Sequence, residues 1–295
     1  MNAYSQRYED YVRLIEQGLN NSMNILAGEN ISYDKPLVDA MRYSLLSGGK
    51  RLRPVLLLGA YATFRGDVET ALPFAAGIEM IHTYSLIHDD LPCMDDDALR
   101  RGKPTNHIVF GEAMALLAGD ALLNLAFEVM SACVHPYTLR VVNAIASRSG
   151  CRGMIAGQTA DMVLSHQVPD KNKARYIHLH KTADLITAAV QGGLLLSGAP
   201  QKTLDAGERY GRHLGVAFQI VDDLLDLRGD VRKLGKEVHK DQMSGKITWP
   251  ALAGEAQSEA DAETEINLAV QAAEEIEGPA GFLGELARRT LKRVQ

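Results

Sequence analysis

Apolar residues recur at helical spacing along most of this chain, and they rarely alternate with polar residues as they would in a strand. The apolar stretches are rich in Ala, Leu and Met, which favour helix. Glycine and proline fall between these stretches, as at Gly48-Gly49 and Gly278-Pro279, where they indicate helix ends and turns. The pattern therefore predicts an all-α protein. The predicted helices span residues 36–47, 54–64, 71–87, 111–130, 140–149, 183–196 and 203–227.

Two aspartate clusters interrupt the apolar pattern. One runs from Asp89 to Asp95 with the sequence DDLPCMD, and the other runs from Asp222 to Asp226 with the sequence DDLLD. Aspartate is among the residues least often buried, and burying its charge without a partner is costly. Two carboxylates about 4 Å apart repel by roughly 1 kcal/mol in water and by about 4 kcal/mol at an effective dielectric of 20. We therefore expect a positive charge between the clusters.

The second cluster fits a regular helix. Asp222 and Asp226 are separated by four residues, so they are neighbours on one helix face, and Gln219 lies one turn earlier on the same side. Two carboxylates in this arrangement can chelate one ion.

The first cluster needs a break in its helix. Asp89 and Asp95 are six residues apart, which places them about 240° apart around an ideal helix. Pro92 cannot follow the helical path, because its ring would clash with the carbonyl of His88. We expect the helix to end near Leu91, so that Asp95 folds back toward Asp89.

A set of ligands this rich in carboxylates and poor in histidine suits Mg²⁺, which usually takes one or two carboxylates together with substrate phosphates. A plainer interpretation is that these acids are solvated helix ends or salt-bridge partners, but two matched clusters with apolar flanks favour the metal. The pair His88-Asp89 alone resembles the metal-binding dyad of the His-Asp phosphohydrolases. That fold also needs an earlier histidine ligand, and no histidine precedes His82 in this chain.

Two basic segments complete the polar pattern. Lys50, Arg51 and Arg53 follow a glycine pair in a turn between helices, and Arg100-Arg101-Gly102-Lys103 follows the first acidic cluster. Guanidinium groups donate in pairs and lysine acts as a point charge, so both segments suit a diphosphate. Nucleic acid is the competing ligand for basic loops, but a sequence pI near 5.9 and few aromatic residues beside the cations disfavour it.

Composition narrows the setting. A chain of 295 residues with 46% apolar residues can bury a large core, and no segment resembles a linker, so we predict one domain over residues 1–295. Segment 248–287 holds nine acids and no Lys or Arg, and it outweighs the rest of the chain to give the net charge of −6. We expect solvated helix faces there.

We predict a soluble, cytoplasmic protein from three features of the sequence. The three cysteines lack CxxC spacing, the N-terminus is charged, and no apolar stretch approaches the length of a membrane span.

The motifs resemble those of the trans-polyprenyl diphosphate synthases and occur in the same order. The resemblance spans about residues 36–250 and implies the isoprenoid synthase fold. In that fold an all-α helical bundle surrounds a deep central cavity with the two aspartate clusters at its mouth, and the protein is usually a homodimer. The matching segments are 49–54 (GKRLRP), 88–92 (HDDLP), 100–105 (RRGKPT), 181–182 (KT), 218–226 (FQIVDDLLD) and 235–236 (GK).

The resemblance also implies a role for each matching residue. Three Mg²⁺ ions would be held by Asp89 and Asp95 on one side and by Asp222, Asp226 and, through water, Asp241 on the other. The allylic diphosphate would contact Arg100, Lys181, Lys236 and Lys246. Isopentenyl diphosphate would be held by Gly49, Lys50, Arg53, His82 and Arg101. Thr182 and Gln219 would direct oxygen dipoles at the developing allylic cation, and Asp223 joins the catalytic set. The alternatives are a hydrogen-bonded core histidine for His82 and plain helix packing for Thr182 and Gln219.

The implied reaction is the head-to-tail condensation of isopentenyl diphosphate with dimethylallyl or geranyl diphosphate. Metal ions and cations neutralise the charge on the departing diphosphate. The double bond of isopentenyl diphosphate attacks the allylic cation, and the released diphosphate takes the proton. This route agrees with the lack of a candidate general base in the sequence.

Product length is expected to depend on Tyr84 and its neighbour Ser85. Tyr84 lies five residues before Asp89, about 7.5 Å along the helix axis toward the expected cavity floor. In the family, bacterial farnesyl diphosphate synthases combine an aromatic residue here with a two-residue insertion, which this chain carries as Pro92-Cys93. The resemblance thus favours a C15 product, with a C20 product, as in a geranylgeranyl diphosphate synthase, as the alternative. An ordinary core role for Tyr84 is the other interpretation.

A few positions depart from the family pattern. Ala98 stands where many members carry another aspartate, and His239 stands where glycine is common. The basic end, 281–295, is either a solvated helix end or a cover over the diphosphates.

Two rival functions are a terpene cyclase and a non-catalytic subunit. A terpene cyclase would typically replace the second aspartate cluster, and a non-catalytic subunit would lose metal ligands. The complete set of aspartates disfavours both.

Overall fold

The computed structural model describes residues 3–25, 35–165, 167–168, 170–229 and 247–292. A 3₁₀-helix, Glu69–Ala71, precedes α4, and a π-helix, His178–Ala183, joins α9 to α10. Strands β1 (Leu99–Arg100) and β2 (Lys103–Pro104) form an antiparallel hairpin. The α-helices are α1 (Ala3–Ile25), α2 (Lys35–Leu45), α3 (Leu52–Ala62), α4 (Leu72–Asp89), α5 (Asn106–Phe110), α6 (Glu112–Ser131), α7 (Thr138–Ser149), α8 (Met154–Leu164), α9 (Lys171–Ile177), α10 (Asp184–Ser197), α11 (Gln201–Leu227), α12 (Trp249–Ala253), α13 (Glu255–Glu277) and α14 (Phe282–Leu291).

The all-α prediction is confirmed. Each of the seven predicted helices corresponds to an observed one, namely α2, α3, α4, α6, α7, α10 or α11, with ends within two residues of the prediction. The β1–β2 hairpin was not predicted. It turns at Arg101 and Gly102, both with positive φ, and so it reverses the basic segment that follows the first acidic cluster.

Three helices form the centre of the protein because they are apolar on every side. α3 is buried continuously from Pro54 to Tyr61, and α4 is buried from Phe74 to Ile81. α10 is buried along nearly its whole length. A helix that is apolar all round belongs in a core. α10 packs against both α3 and α11, while α6 covers α4 and α13 covers α11.

α11 joins two apolar clusters. Its first half contributes Tyr210 and Leu214 to the large core, whereas its second half contributes Ile220 and Leu224 to a smaller cluster with Trp249. The second half carries the second acidic cluster, so packing on both sides holds that segment in place.

α6 corrects one expectation from the sequence. It is 20 residues long and contains an 18-residue window with a mean hydropathy of 1.5, of which 39% is buried inside the protein. By length and composition alone, α6 could cross a membrane. The expectation that no stretch reaches this length was therefore wrong. A core helix of a water-soluble protein meets the same criterion, and α6 covers α4 with one face while Leu116 and Leu117 are exposed on another.

Candidate active site

The first acidic cluster folds back on itself as predicted. α4 ends at Asp89, two residues short of Leu91, near which Pro92 was expected to end it, and Leu91 N donates to His88 O at 3.2 Å. Asp95 N then donates to Asp89 O at 2.9 Å, so the two aspartates lie next to each other. Pro92 follows immediately after this turn, where its ring prevents the helix from continuing.

Asp90, the second residue of the cluster, pairs with the hairpin. It is buried, and it accepts a hydrogen bond from Arg100 Nε at 3.0 Å. Arg100 Nη2 donates to Asp97 Oδ2 at 3.1 Å. Burial raises the pKa of Asp90 to about 6 against the opposing effect of the Arg100 ion pair, and the neighbouring Asp97 and Asp89 raise it further. Arg100, predicted to contact the allylic diphosphate, thus balances the acids of the first cluster in this structure.

The second cluster lies on unbroken helix. α11 runs through both Asp222 and Asp226, so the predicted separation of one turn holds. Asp223 instead contacts protein groups with both oxygens: Gln219 Nε2 donates to Oδ1 at 3.0 Å, and Trp249 N donates to Oδ2 at 2.8 Å. His178 Nε2 lies 3.4 Å from the same Oδ2. Asp223 therefore ties α11 to the start of α12.

Lys181 links the first cluster to α8. Its Nζ donates to Asp161 Oδ2 at 2.7 Å and lies 3.9 Å from Asp89 Oδ2. Burial of the ammonium opposes its charge, but Asp89, Asp161 and Asp95 together raise the pKa of Lys181 above its ordinary value. Gln158, also on α8, donates from Nε2 to Asp89 Oδ1 at 2.5 Å. Lys181 is therefore a fixed, charged group beside the first cluster.

Gln158 and Asp161 were not predicted from the sequence. They are three residues apart on α8 and so lie on one helix face, where Gln158 contacts Asp89 and Asp161 contacts Lys181. The signal that could have found them is the polar pair Gln158 and Asp161, three residues apart in a largely apolar segment.

Thr182 and Gln219 lie together as predicted for a shared task. Thr182 Oγ1 donates to Gln219 Oε1 at 2.8 Å, and Gln219 is also the donor to Asp223. Thr182 and Lys181 are consecutive residues of the π-helix, which has a wider turn than an α-helix. These contacts bring a hydroxyl and an amide to the space beside the second cluster.

The predicted binding residues for isopentenyl diphosphate are adjacent in the structure. Arg53 Nη1 lies 3.2 Å from His82 Nε2, and because a guanidinium can only donate, His82 accepts with Nε2 and carries its proton on Nδ1. Burial, together with the charges of Arg53 and Arg101, lowers the pKa of His82 well below its ordinary value. His82 is thus a neutral ring among cations.

Arg53 has a donor to spare. Its Nε is buried without a hydrogen-bond partner among the described residues. Burial lowers the pKa of Arg53 to about 10, partly offset by the carboxylates of Glu79 and Asp222. The buried Nε suits an anion.

Arg101 closes this group over the glycine pair. Its Nη1 donates to Gly48 O and lies 3.4 Å from Ser47 Oγ. Gly49 has φ +131°, and a Cβ there would lie 2.7 Å from Arg101 Cζ, so only glycine leaves room for the guanidinium. The predicted set Gly49, Arg53, His82 and Arg101 is therefore brought together, with the exposed Lys50 next to Gly49.

The candidate chain-length residues lie further down α4. Tyr84 is 6% exposed, and burial raises the pKa of its hydroxyl. Ser85 Oγ donates to His82 O at 2.8 Å, which satisfies its hydroxyl within the helix. The predicted site residues Lys236, Asp241 and Lys246 lie outside the described residues.

The two aspartate clusters fit Mg²⁺ by the chemistry of their donors. Asp89 and Asp95 share a main-chain hydrogen bond, and Asp222 and Asp226 share a helix face. In the part of the chain that the structure describes, no three acidic, histidine or cysteine side chains converge as a complete protein-only metal site. Mg²⁺ usually binds one or two carboxylates plus substrate phosphates, so paired carboxylates on each side suit it.

Comparisons with known proteins agree with this geometry. Residues 34–278 match the sequence model of the polyprenyl synthetase family. A farnesyl diphosphate synthase from Geobacillus stearothermophilus is 48% identical over 229 residues, which cover 76% of this chain and 77% of that protein. A chloroplastic geranylgeranyl pyrophosphate synthase from Arabidopsis thaliana is 43% identical over 281 residues, which cover 92% of this chain and 77% of that protein. The crystal structure of a geranyltransferase from Helicobacter pylori, complexed with magnesium and isoprenyl diphosphate, matches with a TM-score of 0.80 at 30% identity and covers 96% of each chain.

Proposed function

Because the chain belongs to the polyprenyl synthetase family and is a prenyltransferase with the isoprenoid synthase fold, we propose that it makes farnesyl diphosphate from isopentenyl diphosphate and an allylic diphosphate. The observation that carries the proposal is the pair of cationic groups beside the aspartate clusters. Lys181 is held by Asp161 near Asp89, and Arg53 has a buried Nε donor that no described residue satisfies. Two diphosphates and their metal ions would balance these charges.

The allylic diphosphate lies on the Lys181 side. Lys181 and Arg100, with Lys236 and Lys246 from outside the described residues, contact its oxygens. Thr182 and Gln219 direct their oxygen atoms toward the allylic carbon, where positive charge develops as its bond to the diphosphate oxygen breaks. The hydrogen bond between these two side chains keeps them aimed before substrate arrives.

Mg²⁺ would be held by Asp89 and Asp95 on one side and by Asp222, Asp226 and Asp241 on the other, as three ions. When bound, it neutralises charge on the departing diphosphate, a Lewis-acid effect worth several kcal/mol. Gln158 and Lys181 orient the Asp89 carboxylate for this task.

Isopentenyl diphosphate lies on the Arg53 side. Arg53, Arg101 and Lys50 bind its diphosphate, and the neutral His82 holds the Arg53 guanidinium in place. The double bond then attacks the allylic carbon to form the 1′–4 bond. The proton lost in this step passes to the released diphosphate, so no side chain acts as the base.

Product length depends on Tyr84. Its buried ring occupies α4 below the first cluster, which favours growth to C15. The alternative product is geranylgeranyl diphosphate, because relatives named as geranylgeranyl synthases match about as closely as those named as farnesyl synthases.

The protein acts as a homodimer in the cytoplasm. The apolar side chains Ile108, Val109, Leu116 and Leu117 are exposed on α5 and α6, where a second copy would cover them. Such cover also accounts for an apolar helix that is buried on only part of its surface.

One incubation tests the function. The purified protein is given Mg²⁺, isopentenyl diphosphate and either dimethylallyl or geranyl diphosphate, and the products are sized by mass spectrometry after removal of the phosphates. We expect mainly the C15 alcohol from both primers. A C20 alcohol would overturn the product assignment alone, whereas no elongation with either primer would overturn the function.

A further inference from the structure

The three cations of the loop that follows Gly48-Gly49 have different surroundings. Lys50 is exposed and Arg53 is half-buried, and both belong to the proposed site for isopentenyl diphosphate. The side chain of Arg51, which lies between them in sequence, has no exposed surface. Arg51 therefore does not reach the substrate, and its charge serves another purpose.

Arg51 fastens three helices at one point. Its Nε donates to Glu16 Oε1 on α1 at 2.7 Å, and its Nη1 donates to Glu79 Oε1 on α4 at 2.7 Å. Its Nη2 donates to Leu45 O at the end of α2 at 2.8 Å. Charge-assisted hydrogen bonds in a buried setting are strong and directional. The guanidinium is therefore held in one position by three separate elements.

This anchoring sets the path of the substrate loop. Arg51 has φ 48°, a left-handed conformation that a residue with a side chain seldom adopts, and its carbonyl accepts Val55 N at 3.0 Å in the first turn of α3. Such a backbone persists when its surroundings hold it. Because the Arg51 side chain is fixed, the neighbouring Lys50 and Arg53 leave the backbone in defined directions.

α1 holds the loop at a second point. Tyr8 Oη donates to Lys50 O at 2.5 Å, next to the contact between Glu16 and Arg51. Tyr8 and Glu16 are eight residues apart, about two helical turns, and so lie on one side of α1. α1 is itself anchored through the buried side chains of Ile15, Leu19 and Met23.

We propose that Tyr8, Glu16 and Arg51 are positioning residues for isopentenyl diphosphate, so that α1 sets the affinity for this substrate without touching it. The inference rests on the proposed function, which places this substrate at Lys50 and Arg53. The allylic residues Lys181 and Thr182 lie on the π-helix, whereas Tyr8 and Glu16 contact the loop before α3. Loosening the contacts of α1 therefore weakens the binding of isopentenyl diphosphate and leaves the binding of the allylic diphosphate unchanged.

The test compares two conservative changes on α1 with two matched controls. Tyr8→Phe removes one hydroxyl, and Glu16→Gln removes one charge. Tyr4→Phe and Glu9→Gln make the same chemical changes on α1, at a ring that stacks on Phe282 and at an exposed acid. KM is measured for isopentenyl diphosphate and for geranyl diphosphate, each with the other substrate saturating, together with kcat and the thermal midpoint.

We expect Tyr8→Phe and Glu16→Gln each to raise KM for isopentenyl diphosphate about five- to tenfold, which corresponds to the loss of one hydrogen bond. KM for geranyl diphosphate and kcat should stay within about twofold, and the controls should match the wild type. An equal rise in both KM values, or no rise in either variant, overturns the inference. Tyr8→Phe keeps the test decisive if Glu16→Gln is unstable. An inactive wild type would instead overturn the proposed function.

Discussion

The rings of Tyr84 and His88 meet edge to face on α4, with centroids 5.7 Å apart and planes at 78°. His88 is itself held from the other side, because its Nε2 donates to Leu116 O of α6 at 2.9 Å. An edge-to-face pair adds about 0.5–1.5 kcal/mol beyond the burial of its area. The Tyr84 ring thus packs against a histidine that α6 holds in place, which suits a residue that limits the length of a growing chain.

Replacing Tyr84 with alanine should lengthen the main product beyond C15, because the space of the ring becomes available to the isoprenoid tail. Products are sized by mass spectrometry after reaction with geranyl diphosphate. Tyr84→Phe keeps the ring and should leave the product at C15. A Tyr84→Ala enzyme that still stops at C15 would show that Tyr84 is an ordinary core residue.

The aspartate clusters should be essential for turnover but not for folding. Asp89→Ala and Asp222→Ala are each expected to lower kcat by about a thousandfold or more, since each removes a metal ligand that stabilises the departing diphosphate by several kcal/mol. Chelation of Mg²⁺ with EDTA should stop the wild-type reaction, and added Mg²⁺ should restore it. Circular dichroism should show unchanged helix content, and turnover that survives either substitution would contradict the metal assignment.

Lys181 and Asp161 should contribute to turnover together, so that changing either residue removes the effect of both. Asp161→Asn removes the charge that holds Lys181 at 2.7 Å, and we expect it to raise KM for the allylic diphosphate and to lower kcat. The loss of a hydrogen bond between charged groups corresponds to about 1.5–3 kcal/mol. A double-mutant cycle with Lys181→Gln measures the coupling. Additive effects of the two changes would show that Asp161 does not act through Lys181.

His82 should remain neutral well below pH 6.5, because burial and the nearby guanidinium groups disfavour its charged form. Its pKa is lowered in the folded protein, so its contribution to stability is present above the unfolded value of about 6.5 and is lost as the pH falls below it. NMR of ¹⁵N-labelled histidine, assigned with His82→Gln, should show an imidazole that stays neutral and protonated on Nδ1 as the pH is lowered from 8 through 6.5. A signal that titrates near pH 6.5 would contradict this environment.

The exposed apolar surface of α5 and α6 should be a contact between subunits. Light scattering is expected to give roughly twice the chain mass of 32.2 kDa. Leu116→Glu combined with Leu117→Glu should shift the protein toward monomer, since both side chains are about half exposed, at 47% and 52%. Val168→Glu, at another exposed apolar residue, should leave the mass unchanged. A monomeric wild type would exclude the dimer.

The helices were predictable because local periodicity reports local structure. α11 ends at Leu227, the residue at which its pattern of apolar positions ends. The return of Asp95 toward Asp89 was also predictable, because the effect of Pro92 on a helix is local. Each of these features depends on residues close in sequence.

Contacts between distant segments were not predictable in this way. Asp223 looks equivalent to Asp222 in the sequence, yet it accepts a hydrogen bond from Trp249 N, 26 residues away. Arg51 looks like a third phosphate-binding cation, yet its partners on α1 and α4 enclose it. Spacing along the chain places these residues on a face or in a turn, but the neighbouring helix decides which of them meet solvent.

The π-helix limits which sequence changes this site can accept during evolution. Lys181 and Thr182 are consecutive, yet one pairs with Asp161 on α8 and the other with Gln219 on α11. The wide turn also lies against Gly157, where a Cβ would be 2.0 Å from Lys181 N. Deleting any one residue of His178–Ala183 would turn the preceding segment by about 100° relative to α10, and one of the two pairs would be lost. Variation in this segment should therefore occur by substitution at constant length, not by insertion or deletion.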